Sequence, residues 1–383
     1  AAILPLYITA VLGMGPLAYG FIDGIYQGVS AAVRILGGWW SDSTKRPKWV
    51  AFVGYFASAL SRVGLLLATG FASITAVIAI DRLGKGLRTG PRDSLIATAS
   101  DPADLGRNFG VHRAMDTAGA LAGPLLAFAV LAAIPLGLGG YRAVFVFSLA
   151  FAVLGVVVLA LVVPDLRTAG GRTAFGNQST RRRMALRLSD LSQPALRRVL
   201  AVAGLLGLVT IGDGFIYLSL SDAGSLATKY FPLLFVGTSA AYMILAIPLG
   251  RVADRVGRAR VFLIGHVALL GVYALTASGV GGGAWTVVVV LVLLGSFYAA
   301  TDGVLAALAT QSVPEESRAS GIAAAQTVVA LSRFACSLGF GLLWYLTGRE
   351  TALWVMALAL AASLAAAAVL LRPLLTSHTG SPA

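Results

Sequence analysis

Twelve apolar runs, most of them close to the about 20 residues a helix needs to cross a bilayer, organise this chain. They fall at roughly 1–13, 16–41, 49–70, 73–97, 107–134, 142–163, 197–220, 230–250, 260–279, 284–309, 319–346 and 350–371. In hydrocarbon every backbone N–H and C=O must find a partner inside the chain, so runs of this kind fold as helices. The expected fold is all-α and polytopic, with twelve transmembrane helices in two pseudo-symmetric six-helix bundles. The expected boundaries are 1–163 for the first bundle, 164–196 for a basic linker, 197–372 for the second bundle and 373–383 for a tail. Composition agrees: the chain is 58% hydrophobic and 12% charged, with a mean hydropathy of +0.85, unlike a soluble domain.

The distribution of Lys and Arg sets orientation. Eighteen lie in loops on one side and three (Arg142, Lys229 and Arg349) on the other, so the richer side is cytoplasmic and both termini and the linker lie inside. The expected location is a bacterial cytoplasmic (inner) membrane, with the lipid bilayer as partner and a monomer as the unit. The net charge of +13 is spread over these short loops, which excludes a nucleic-acid reading. Cys336 and the scattered His112, His266 and His378 make no metal site. The two halves repeat: Gly38 and Asp42 recur as Gly250 and Asp254 at an offset of 212 residues, as does Pro102 at Pro314. A parallel repeat of this kind carries its site near the midplane between the halves. The same offset places Asp213 over Ala1, so about fourteen residues of the first helix are expected to precede this sequence.

Inside this apolar frame lies a dense charged stretch. Asp81 to Asp93 reads D-R-L-G-K-G-L-R-T-G-P-R-D, and on a helix Asp81, Lys85, Arg88 and Arg92 form one stripe at i, i+4, i+7 and i+11, with Arg82 and Asp93 on an adjacent line. Charges cost at least a few kcal/mol at the bilayer centre, so these must line a wet cavity or pair between helices. Counting from Ser73, Lys85 and Arg88 lie about 18 and 22 Å along a core about 30 Å thick. On the next helix His112, Asp116, Gly119 and Gly123 share a face, and Asp116 is placed to meet Lys85 or Arg88 at mid-depth. Arg113 adds another cation. Within its spans the first half carries seven bases against four acids, an excess suited to an anionic or zwitterionic ligand, while a buried acid can carry a proton. The rival reading is a buried ion-pair network that only joins helices, although such networks stabilise poorly.

Two further stripes complete the expected lining. Asp23, Gln27, Ser30 and Arg34 repeat the spacing of the charged helix, either as a cavity wall or with Asp23 and Arg34 each satisfied near a membrane face. In the second half Thr210, Asp213 and Tyr217 share a face, as do Tyr298 and Asp302, and Gln326, Arg333 and Ser337. Either Asp213 or Asp302 is a candidate proton carrier. At the cytoplasmic helix ends, Asp42, Asp254, Arg255 and Arg258 suit a latch that ties helices in one conformation and releases them in another.

These residues also carry a resemblance. Gly250, Asp254, Arg255, Gly257 and Arg258 match the G-x-x-x-D-R-x-G-R-R loop signature of the major facilitator superfamily, and Gly38 and Asp42 match it in part. Arg82 and Gly86 match its fourth-helix R-x-x-x-G, and Gly119, Gly123 and Pro124 its fifth-helix G-x-x-x-G-P. The resemblance implies a secondary transporter that moves a small organic solute by alternating access. The fifth-helix motif, associated with antiporters, implies proton-coupled export, with close helix packing at Gly119 and Gly123. Proton-coupled import of an organic anion and transport of a lipid or amphiphile are the alternatives. No G-x-x-x-x-G-K-S/T stretch is present, so no nucleotide cofactor is expected and a proton gradient supplies the energy. Neither a catalytic cluster nor metal-ligand spacing supports an enzyme, and a receptor has no need of charge at the midplane.

Overall fold

The computed structural model describes residues 2–101, 104–134, 137–165, 193–222, 227–279, 283–313 and 318–373. Among them every regular element is helical. α1 (Leu4–Leu6) runs on into a π-helical turn (Tyr7–Val11), followed by α2 (Pro16–Thr44), α3 (Pro47–Leu67), α4 (Phe71–Ala99), α5 (Leu105–Ala133) and α6 (Leu138–Leu161). The second half holds α7 (Pro194–Gly207), α8 (Asp213–Asp222), α9 (Phe231–Val256), α10 (Arg258–Ser278), α11 (Ala284–Gln311), α12 (Arg318–Thr347) and α13 (Arg349–Leu370). Prolines open α3, α7 and α9, where their missing N–H costs nothing. Single glycines turn the chain between α9 and α10 (Gly257, φ +109°) and between α12 and α13 (Gly348, φ +85°).

Among the described residues eight helical segments are both long and apolar enough to span a bilayer. The expected spans outside that set fail for informative reasons. α2 and α4 have ample length, 29 residues each, or about 43 Å, but carry the polar stripes. The seventh span is not one helix: it stops at Gly207 and restarts at Asp213.

The chain divides into two compact units, Ala1–Leu6, Gly15–Gly24 and Ala185–Ala383 in one and Tyr7–Met14 and Ile25–Met184 in the other. The division at 184/185 falls inside the expected linker, and the opening of α2 groups with the second half. A Cβ on Gly20 would lie 2.5 Å from the Ser337 carbonyl oxygen and 3.0 Å from Gly341 Cα, so α2 and α12 touch backbone to backbone. Tyr19, Phe215, Phe340 and Trp344 fill the space around that contact with edge-on and tilted rings.

In the other unit α4 is held by the same small-residue device. Cβ atoms on Gly54 and Gly84 would each come within 2.6 Å of the other's carbonyl oxygen, and one on Gly86 within 2.7 Å of the Ser30 carbonyl. α4 is therefore pressed between α3 and α2. The Lys48 ammonium caps the end of α6 by donating to the Ala160 carbonyl at 2.9 Å. Beside it Ala51, Leu95 and Leu159 make a small core.

Gly348 occupies a backbone region (φ +85°, ψ 165°) that side chains hardly enter. Gly348→Ala is expected to cost about 1–3 kcal/mol, seen as a lower melting temperature in detergent. The single buried thiol, Cys336, makes a thiol-reactive dye a direct unfolding probe for this and every melt below.

Candidate functional site

The first half answers the question of where its charges go. Asp81 is shared: Arg62 Nη2 lies 3.0 Å from Oδ1, while Arg82 donates to Oδ2 through Nε (3.0 Å) and Nη2. The Arg82 guanidinium also stacks 3.9 Å from the ring centre of Tyr26, and that of Arg88 lies 4.3 Å from the ring centre of Tyr55. Asp81 and Arg82 are buried, and this part of the stripe is a structural joint of α3 and α4.

Asp116 does not reach Lys85 or Arg88 as expected. It lies 3.6 Å from Arg92 Nη1 and 3.3 Å from His112 Nε2, and Arg92 also binds the neighbouring Asp93 at 3.1 Å. The reason is axial: Arg92 is seven residues, about 10 Å, further along α4 than Lys85, and that is the level at which α5 passes. Among the described residues the Lys85 ammonium consequently has neither hydrogen bond nor ion pair, and it is exposed. A Cβ on Gly119 or Gly123 would meet nothing within 4 Å, so the expected close packing at these glycines is not seen here, and Pro124 lies within α5. The side chains of Asp42 and Arg113 lie outside the described residues.

In the second half the structure brings Asp213, Tyr298, Asp302 and Arg333 into one electrostatic cluster. Tyr298 donates to Asp213 Oδ1 at 2.5 Å, and the Arg333 guanidinium lies 5.8 Å from the Tyr298 ring centre. Asp302 accepts no hydrogen bond among the described residues, and Arg333 Nε is buried without a partner. Two carboxylates thus face one guanidinium.

This cluster is built on the break in the seventh span. A helix interrupted inside a membrane frees backbone groups that must be satisfied locally. The Tyr273 hydroxyl on α10 does this twice, accepting from Ile211 N–H at 2.7 Å and donating to the Val209 carbonyl at 2.9 Å. Asp213 is then the first residue of α8, where a helix N-terminus favours an acid. Asp23 lies against the same break. Ser337 donates to its Oδ2 at 2.7 Å, and a Cβ on Gly212 would approach that oxygen to 2.5 Å. Of the stripe Asp23, Gln27, Ser30 and Arg34 on the continuous helix α2, Asp23 thus gives its carboxylate to α12 and the break. Tyr217 is a second correction: it is fully buried, donates to Thr238 at 2.7 Å and packs on Phe235, so it is core and no wall.

At the junction of α9 and α10 Arg258 pairs with Asp254 at 3.0 Å across Gly257, both partly open to solvent. Arg255 is exposed, and Gly38 and Gly250 would tolerate a Cβ with no contact within 4 Å. Sequence reasoning missed Tyr273, since a lone tyrosine in an apolar helix carries no mark of its partner. The break itself had a signal in the dense glycines of G-L-L-G-L-V-T-I-G-D-G.

Apolar helices that keep charge within the membrane define a class, the polytopic membrane transport proteins. Family comparison makes the class specific. The chain belongs to the Major Facilitator Superfamily, whose model matches residues 1–234 and 219–382. It is 26% identical over 371 residues to the uncharacterized MFS-type transporter MJ1317 of Methanocaldococcus jannaschii, covering 94% of this chain and 88% of that one. Among solved structures it resembles the nucleoside transporter NupG, with a TM-score of 0.76 at 15% identity, over 97% of this chain and 94% of that one. It also resembles a POT family transporter in complex with 5-aminolevulinic acid, with a TM-score of 0.71 at 14% identity, over 98% and 92% of the two chains. The chain is a membrane transporter and not an enzyme.

Proposed function

We propose that this transporter is proton-coupled and exports a small organic solute across a bacterial cytoplasmic membrane by antiport, both termini facing the cytoplasm. The observation that carries the reading is the charge count at the broken seventh span. Asp213 and Asp302 share one arginine, so the cluster carries a surplus negative charge within an apolar helical frame. A proton neutralises that surplus at less cost than rearranging the helices, and its departure restores the attraction to Arg333. Protonation and conformation are thereby linked, as coupled transport requires. The resemblance of Gly119, Gly123 and Pro124 to the antiporter motif supports the outward direction. Import of an organic anion by symport is the second reading, favoured by the basic surface of α4.

Proteoliposomes loaded with a pH-sensitive dye and challenged with nucleosides, amino acids, short peptides and organic anions provide the test. A transported solute is expected to change internal pH in the wild type. Asp213→Asn is expected to abolish that change while solute exchange down its own gradient continues. Undiminished proton movement in this variant would remove Asp213 from the coupling. The sign of the pH change separates antiport from symport.

A further inference from the structure

We infer that Arg333 on α12 and Asp302 on α11 bind the two charged ends of a zwitterionic solute, Arg333 taking its carboxylate and Asp302 its ammonium group. This deepens the reading above by naming the class of solute. It rests on transport but not on the proton step, because binding is measured without a gradient.

Arg333 lies near the middle of the span Gly321–Thr347, yet among the described residues it makes neither hydrogen bond nor ion pair, and its Nε is shielded from solvent. A guanidinium carries five N–H donors in a fixed fork, and leaving them empty inside an apolar span is costly. The polar groups around it are engaged elsewhere. The Tyr298 hydroxyl donates to Asp213, the Tyr273 hydroxyl serves the broken span, and His266 Nδ1 lies 2.9 Å from the Phe262 carbonyl.

Asp302 is the complementary case. It shares an electrostatic field with Arg333 without reaching ion-pair distance, and it accepts no hydrogen bond among the described residues. It is exposed, and a Cβ on neighbouring Gly303 would meet nothing within 4 Å, so there is room beside the carboxylate. A Cβ on Gly295 would lie 2.5 Å from Ala241 Cβ, and one on Gly265 2.7 Å from Ala300 Cβ, so α11 is wedged against α9 and α10. Backbone packing this tight holds α11 where it is, with the gap to Arg333 open.

A purely structural pair would have closed into a salt bridge, as Asp81 does with Arg62 and Arg82. The charge of the occupant follows from what a simpler ion would leave behind. An anion on Arg333 would sit in the field of Asp213 and Asp302, and a cation on Asp302 would face Arg333 and leave its donors empty. An apolar frame strengthens both repulsions. A carboxylate and an ammonium on one solute serve both side chains with charge-assisted hydrogen bonds and bring no net charge. Asp213, already held by Tyr298, is left for the proton.

The test melts the full chain in neutral detergent with the common α-amino acids, β-alanine, γ-aminobutyrate and alanylalanine. Each probe that stabilises is then compared with its methyl ester, a cation, and its N-acetyl derivative, an anion. A pH of about 6.5 keeps the amine of the ester mostly protonated. At least one zwitterion is expected to raise the wild-type melting temperature with its concentration, and its ester and N-acetyl derivative to bind about tenfold or more weakly. In Arg333→Gln the preference for the zwitterion over its ester is expected to vanish, and in Asp302→Asn the preference over the N-acetyl derivative. A loss confined to one end of the probe separates contact with the solute from damage to the fold, and the wild-type comparison decides even where a variant does not fold. The inference is overturned if no zwitterion stabilises the wild type, if an ester or N-acetyl derivative binds as tightly as its parent, or if the folded variants keep both preferences. Zwitterion binding together with undiminished proton movement in Asp213→Asn would leave this site standing and remove the proton step alone.

Discussion

Asp81→Asn is expected to lower the stability of the folded chain by about 3–5 kcal/mol, the cost of leaving buried charges without their counter-ion. The asparagine fits the space, but Arg62 and Arg82 then keep two positive charges at a position where Asp81 is 5% exposed. Arg82 loses its counter-charge, and its contact with the Tyr26 ring is worth about 2 kcal/mol at best even when desolvated. The double variant Asp81→Asn/Arg62→Gln is expected to recover part of the loss, because it removes one of the stranded cations. Thermal melts of the three proteins decide this. A single variant as stable as the wild type would mean that water reaches these arginines freely.

The second large effect concerns the broken span. Tyr273→Phe keeps the ring in its place but strips the hydroxyl that serves Ile211 N–H and Val209 C=O. Each buried group left unsatisfied costs about 1–3 kcal/mol, so a loss of about 2–5 kcal/mol is expected. Because the hydroxyl acts only on residues 208–212, amide hydrogen exchange should accelerate there well before the surrounding helices respond. Uniform acceleration along α7 and α8 would place the stabilising role of Tyr273 elsewhere.

How far the sequence reaches can be judged from these residues. Helical periodicity put Asp81, Lys85 and Arg88 on one face of α4, and length with hydropathy marked the apolar spans, because both are local properties. The partner of Asp116 was misjudged, since axial depth along two separate helices depends on how they slide past one another. Local sequence does not encode that slide. Asp23 shares a helical stripe with Arg34, but its partner Ser337 was not legible, because it is backbone contact between Gly20 and Gly341 that brings the start of α2 to α12. Small residues at long separation choose such contacts, and a single sequence shows no pairing among its many glycines. Tyr217 belonged to an apparent polar face, but Thr238, on another helix, turned it into core.

The one-residue turns at Gly257 and Gly348 have a mechanical meaning. Consecutive Cα atoms are about 3.8 Å apart, so two helices joined through a single residue have almost no slack with which to slide or part. α9 with α10, and α12 with α13, are each tethered into a stiff pair. Compliance in this unit is left to residues 208–212, where no continuous helical ladder resists bending and a phenol on a neighbouring helix holds the strands of backbone in register.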